Sequence, residues 1–143
     1  MITAGNGLIG RNPLAEPGER VDQLVVVGDP QRGGYLTWLA WYAAELEPAM
    51  FASMTGELAT SPQKKRNYDT ALHRLETALA KHPYMMGERF SGADFLVGSA
   101  LAFARQAFPA SAAIDAYVDR CSTRPAAVRG AALDNASGPQ GPA

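Results

Sequence analysis

Residues 90–104 read FSGADFLVGSALAFA, and this stretch decides the fold. Ser91 followed three positions later by Asp94 is a helix-opening signal. The hydroxyl can accept from the Asp94 amide while the carboxylate reaches back to the Ser91 amide. Phe90 and Phe95 stand at the two positions of a hydrophobic staple around that box. Residues 95–104 contain no charged side chain. A helix that is apolar on all sides belongs in the middle of a domain, so this segment is predicted to be the central helix, ending before Pro109.

The flanking sequence supplies helices to surround it. Upstream, Ser61 and Pro62 make a helix start, and Tyr68, Ala71, Leu72, Leu75, Ala78 and Leu79 recur at helical spacing until Lys81, His82 and Pro83 stop the pattern. Earlier still, Asp29 before Pro30 predicts an N-cap with proline at the first helical position. Tyr35, Trp38, Leu39, Tyr42, Leu46, Ala49 and Met50 then form an apolar stripe that should run to about Met54. Pro48 removes a backbone donor there and predicts a kink or break over residues 44–47. Downstream, Ser111 opens a helix bearing Ile114, Tyr117, Val118 and Cys121, and Pro125 opens a last one bearing Val128, Ala131 and Leu133. No strand pattern of comparable strength follows residue 30. The fold class read from these signals is all-α, a bundle of about five helices over residues 29–134. Residues 1–28 form an irregular extension and residues 135–143 a flexible tail, since the latter are too small and polar to offset their ordering entropy.

Composition narrows the function. A chain of 143 residues with 47% apolar and 19% charged residues is a globular balance for one domain. Thirteen Lys plus Arg against fourteen Asp plus Glu give a net charge of −1, which argues against nucleic acid as a partner. No apolar run reaches the length of a membrane span, and the single cysteine excludes a disulfide framework within the chain; a reducing cytoplasm is the expected setting. Charge is nevertheless segregated. Residues 61–81 carry five Lys or Arg against two acids, and residues 29–60 carry one Arg against four acids, so pairing of these helices, within or between chains, is favoured. Lys64, Lys65 and Arg66 crowd the first turn of their helix, where the dipole disfavours them and an acidic neighbour is expected.

Few residues offer chemistry. His73 and His82 are not at ligand spacing from each other or from Cys121, so no metal site is expected; His73 reads as a solvated histidine and His82 as a helix C-terminal cation. Cys121 lies on an apolar helix face and reads as a small hydrophobe rather than a nucleophile. Glu45 and Glu47 flank Leu46 beside the Pro48 irregularity, but two positions apart on a helix they point away from each other. Gly5, Gly7 and Gly10 spell a GxGxxG string that resembles the opening of a dinucleotide-binding unit, with residues 24–27 (LVVV) and Asp29 downstream. Only three residues precede Ala4 and Gly5 to make a first strand, and Pro13 and Pro17 interrupt the helix that should follow.

With the helices placed, residues 30–134 resemble the C-terminal all-helical domain of the cytosolic glutathione transferases. The resemblance rests on YLTWLAWYAAELE at 35–47, LHRLETALAKHPYMMGERFSGAD at 72–94 and AYVDRCSTRPA at 116–126. It implies that Ser91, Asp94, Phe90 and Phe95 serve folding rather than chemistry. It also implies a thioredoxin-like domain ahead of the helices to bind glutathione and activate its sulfur. No such pattern is recognisable in the 28 residues before Asp29, so no catalytic residue is assigned. Bacterial members place polar glutathione contacts on the first helix, which correspond here to Ala40 and residues 44–47. Glu45 fits the Glu-Leu pair of that segment, whereas Glu47 stands where beta-class enzymes have His, so any glutathione binding by this chain would be weak. The resemblance further implies an apolar co-substrate wall at Tyr42, Met50 and Phe103, and a homodimer or a thioredoxin-like partner domain. The expectation is a transferase-type domain occurring as a separate or truncated chain, probed against two alternatives: a non-enzymatic interaction module and a fragment of a complete enzyme.

Overall fold

The computed structural model describes residues 29–136, and every named element among them is a helix. Helix α1 (Arg32–Trp41), a π-helical turn (Tyr42–Leu46) and α2 (Glu47–Met54) follow one another without a loop. Then come α3 (Pro62–Leu79), α4 (Gly92–Phe103), a 3-10 turn (Arg105–Ala107), α5 (Ala112–Ser122) and α6 (Pro125–Ala136). Counting the α1–π–α2 run as one helix gives the five that the sequence predicts.

Local chemistry explains the boundaries. Ser61 caps α3 by accepting the Lys64 N–H at 3.3 Å, with Pro62 in the first turn. Two of the cations crowded there find acids, Lys64 pairing with Glu57 and Lys65 meeting Asp69 at 2.6 Å, while Arg66 donates to the neutral Gln63 amide oxygen at 2.7 Å. The charge segregation is therefore used within the chain, with Arg74 of α3 also 3.7 Å from Glu45. Helix α1 starts later than expected. The Asp29 carboxylate accepts from the Gln31 amide at 2.7 Å and its carbonyl from the Arg32 amide at 3.0 Å, so Asp29 and Pro30 form a turn and Gln31 is the N-cap. The irregularity expected over residues 44–47 takes the form of a π turn, Tyr42–Leu46, rather than a break. The Glu47 amide reaches back five residues to the Tyr42 carbonyl, and the wider turn sets Pro48 in the first turn of α2, where it need not donate.

Helix α4 is central, as predicted, but it is not enclosed. It buries Ala93, Asp94, Val97, Gly98, Ala100 and Leu101, while Phe95 and Phe103 stay 63% and 73% exposed. Helices α1 and α5 and the 3-10 turn cover its other sides. Small residues set how close α5 comes: a Cβ on Gly98 would lie 3.0 Å from Cβ and Sγ of Cys121. Ile114 and Tyr117 of α5 are sealed completely. The 3-10 turn hangs from α2 and α3, because the Ala107 carbonyl accepts both the Ser53 hydroxyl at 2.7 Å and the Tyr68 hydroxyl at 2.8 Å. Arg105 then turns the corner into α5 by bonding Asp115 at 2.5 Å and the carbonyls of Phe108 and Pro109.

Two apolar faces differ from expectation. Trp41, outside the predicted stripe, is a core residue at 2% exposure, while Tyr35, Trp38, Leu39 and Tyr42 are only partly buried against that core. The π turn shifts the helical phase, so a constant period cannot carry the stripe from one side to the other. In α6, Val128 and Leu133 are half exposed, because this helix packs chiefly on α5 alone. It continues through Ala136, two residues past the predicted end of the domain. The GxGxxG string, the rest of the 1–28 extension and residues 137–143 lie outside the described residues.

The contrast between two helical glycines is testable. Gly98→Ala should cost about 1–3 kcal/mol in urea denaturation, since the methyl group meets Cys121. Gly130→Ala, with nothing within 4 Å, should be neutral or stabilise by up to about 1 kcal/mol. Equal effects would contradict the packing described.

Candidate functional site

The most polar place in the interior is Asp94, which is fully buried. Its Oδ2 accepts the Ser91 amide at 2.8 Å and the Ser91 hydroxyl at 2.9 Å, completing the predicted capping box. Its Oδ1 accepts the Met85 amide at 2.7 Å and the Tyr117 hydroxyl at 3.0 Å. Four donors fill the acceptor sites of one carboxylate, leaving none to meet a substrate. Burial, followed by the neighbouring Asp94 charge, pushes the Tyr117 hydroxyl far above the usual phenol range. The same two causes push the Cys121 thiol up to about 11, a shift that the Tyr117 hydrogen bond only partly offsets. This cysteine is the opposite of an activated nucleophile.

The aromatic staple takes a different form from the one predicted. Phe95 faces outward, and Phe90 packs edge-on against Tyr84 at 5.8 Å with the Arg124 guanidinium 3.4 Å over its ring. Arg120, one helical turn before Arg124, donates to the Pro83 carbonyl at 2.7 Å and lies over Tyr84. Arg120 of α5 and Arg124 of the bend between α5 and α6 clamp the loop that precedes the capping box. No local sequence pattern names the loop as their target.

The expected ligand contacts are not brought together. Glu45 faces Arg74 of α3, whereas Glu47 accepts from the Tyr42 hydroxyl at 3.4 Å. Burial first, then the Glu47 charge, raises the Tyr42 hydroxyl above its ordinary value. Met50 is a core residue at 4% exposure, and Phe103 stands open at the end of α4. A cleft of about 400 Å³ lies elsewhere, between α1 and α3. Trp38, Ala78 and Met85 give it apolar lining, and His73, Arg74, Lys81 and His82 bring basic groups to it. Among the described residues no cluster of His, Cys, Asp or Glu could hold a metal ion, and no helix is long and apolar enough to cross a membrane.

A family model described as "Glutathione S-transferase, C-terminal domain" matches residues 40–122, more than half of the chain. The chain belongs to the glutathione S-transferase C-terminal domain family. The matched span contains the π turn, the capping box and the α4–α5 contact, so this C-terminal domain retains its structural centre. Comparison with curated proteins returned no match, and comparison with solved structures returned none.

In this transferase-type domain the thiol should react as a buried core group. At pH 8 native Cys121 should label with a maleimide at least about 100-fold more slowly than the urea-unfolded chain. Because its folded value is raised, the unfolded state gives up its proton first. Stability is therefore full below about pH 8.5 and falls as pH rises from there toward about 11, and Cys121→Ala should flatten that fall. Fast labelling of the folded chain at neutral pH would contradict the assignment.

Proposed function

We propose that this chain is a binding and assembly domain of the glutathione transferase type, presenting apolar wall and interface while another domain or chain activates the sulfur. One observation carries this reading: large apolar side chains are left open on the folded helices. Phe51 and Met54 are 50% and 42% exposed on one face of α2, and Phe95 and Phe103 are more exposed still on α4. Apolar surface of this kind marks partner and ligand contacts.

Leu36, Phe51 and Met54 are the proposed homodimer face, and Phe103 the proposed ring of the co-substrate wall. Tyr42 and Met50, the other residues expected in that wall, lie on the π turn and on α2, with Met50 turned into the core. Glu45, partly exposed and held only loosely by Arg74, is the acid best placed to touch a glutathione held mainly by a thioredoxin-like partner. Glu47 is the weaker candidate because Tyr42 already engages it. A cytoplasmic setting suits the reduced, buried Cys121.

Sedimentation and a conjugation assay test this reading together. The 143-residue chain should dimerise in the micromolar range, and Phe51→Ser combined with Met54→Ser should give monomers of unchanged helix content. Conjugation of glutathione to chlorodinitrobenzene by the chain alone should not exceed the buffer rate. A monomer at every concentration, or robust turnover, would overturn the proposal.

A further inference from the structure

An apolar strip runs uncovered along α4. Phe95, Ser99, Ala102 and Phe103 recur at helical spacing and are all exposed, the two rings at 63% and 73%. The small Ser99 and Ala102 stand between the rings, which leaves a shallow trough about 12 Å long for eight residues of helical rise. Residues 95–104 carry no charge, so an apolar occupant would strip water from no ion. A narrow, uncharged segment fits such a trough.

The chain enters the domain beside this strip. Helix α1 packs on α4, and a Cβ on Gly92 would lie 2.5 Å from the Tyr35 hydroxyl, so the first turn of α1 rests on the first turn of α4. Gly92 and Phe95 are three residues apart and therefore neighbours on one helical face. Ahead of α1, the Asp29 carbonyl accepts the Arg32 amide at 3.0 Å. That turn reverses the chain, so what precedes Asp29 is aimed back along the bundle and not away from it.

We propose that residues 24–27 (LVVV) of the same chain lie extended along the α4 strip and cover Phe95 and Phe103. Four extended residues span about 13 Å, which matches the trough. Residues 23–28 are free of charge, as the strip is. The five residues from Val27 to Arg32 reach up to about 17 Å, enough to carry the segment from the start of α1 past Phe95. Tethering on so short a linker gives an effective concentration on the order of millimolar, which favours this segment over a second copy at micromolar concentration. The inference rests on the reading of the α4 rings as a contact surface and adds a regulator to it. While the segment is docked, Phe103 is withheld from a co-substrate, which must displace it. The α2 dimer face takes no part.

Isotope-filtered NOE measurements on the full chain test the assignment. Methyl protons of residues 24–27 should give cross-peaks to the Phe95 and Phe103 rings, and a mixture of labelled and unlabelled chains should place those cross-peaks within one chain. Neighbouring residues of an extended segment face opposite ways, so Val25→Asp combined with Val26→Asp sets a charge against the strip in either phase. This variant should lose the cross-peaks and shift the Ser99 and Ala102 amides with helix content unchanged, whereas Val25→Ile combined with Val26→Ile should keep the contacts. The cross-peaks should persist when Phe51→Ser and Met54→Ser are introduced, so a failure of the dimer reading leaves this result readable. Absence of the cross-peaks in the wild-type chain, cross-peaks only between chains, or Asp substitutions that leave the Ser99 and Ala102 amides unmoved would overturn the proposal.

Discussion

One buried carboxylate holds the bundle in register. Asp94 collects donors from the loop before α4, from the N-cap of α4 and from α5, so three segments meet on two oxygen atoms. An apolar core alone would set no unique depth for these segments, because hydrophobic contact is non-directional. Hydrogen bonds to a buried carboxylate are directional, and leaving any of the donors unpaired costs about 1–3 kcal/mol each. The close approach of Gly98 to Cys121 follows from the same arrangement, since Tyr117 and Cys121 lie one turn apart on the helix that Asp94 draws in.

That lock also decides where function can reside. It occupies the interior acid fully, and burial, with the Asp94 charge second, raises the thiol of Cys121, so the core holds no free acid, base or nucleophile among these groups. What remains available lies on the outside: open phenylalanines on α2 and α4, and the arginine-bearing cleft of α3. Arginine plays two parts in this domain. Arg120 and Arg124 lie over aromatic rings and close a loop, whereas Arg74 lies near the rings of Trp38 and Trp41 and faces Glu45.

The sequence was most legible where a signal is local and chemically specific. Ser91 with Asp94, Ser61 with Pro62 and Pro125 each marked a helix start that the structure keeps. Features that depend on long-range contact were not readable. The bond from Tyr117 to Asp94 spans 23 residues, and nothing at Tyr117 names its partner. Trp41 was missed because residues 35–46 are so uniformly apolar that only the π turn decides which ring turns inward. The staple pattern pairs Phe95 with Phe90, but Arg124 reaches Phe90 from the bend between α5 and α6 and replaces it. The candidate site is less legible: the sequence marks Glu45 and Glu47 as acids beside Pro48 and Tyr42 as part of the apolar stripe, but the Arg74 cleft needs α1 and α3 side by side.

Native-state hydrogen exchange at the amides of Met85 and Ser91 tests the central role of Asp94 most directly. Both lie in or beside a loop, where exchange ordinarily proceeds through local opening. If the carboxylate unites loop, α4 and α5, both amides should exchange only with global unfolding, at the same free energy as the innermost amides of α4. Exchange of either amide through a local opening well below that free energy, with α4 and α5 still protected, would contradict the account.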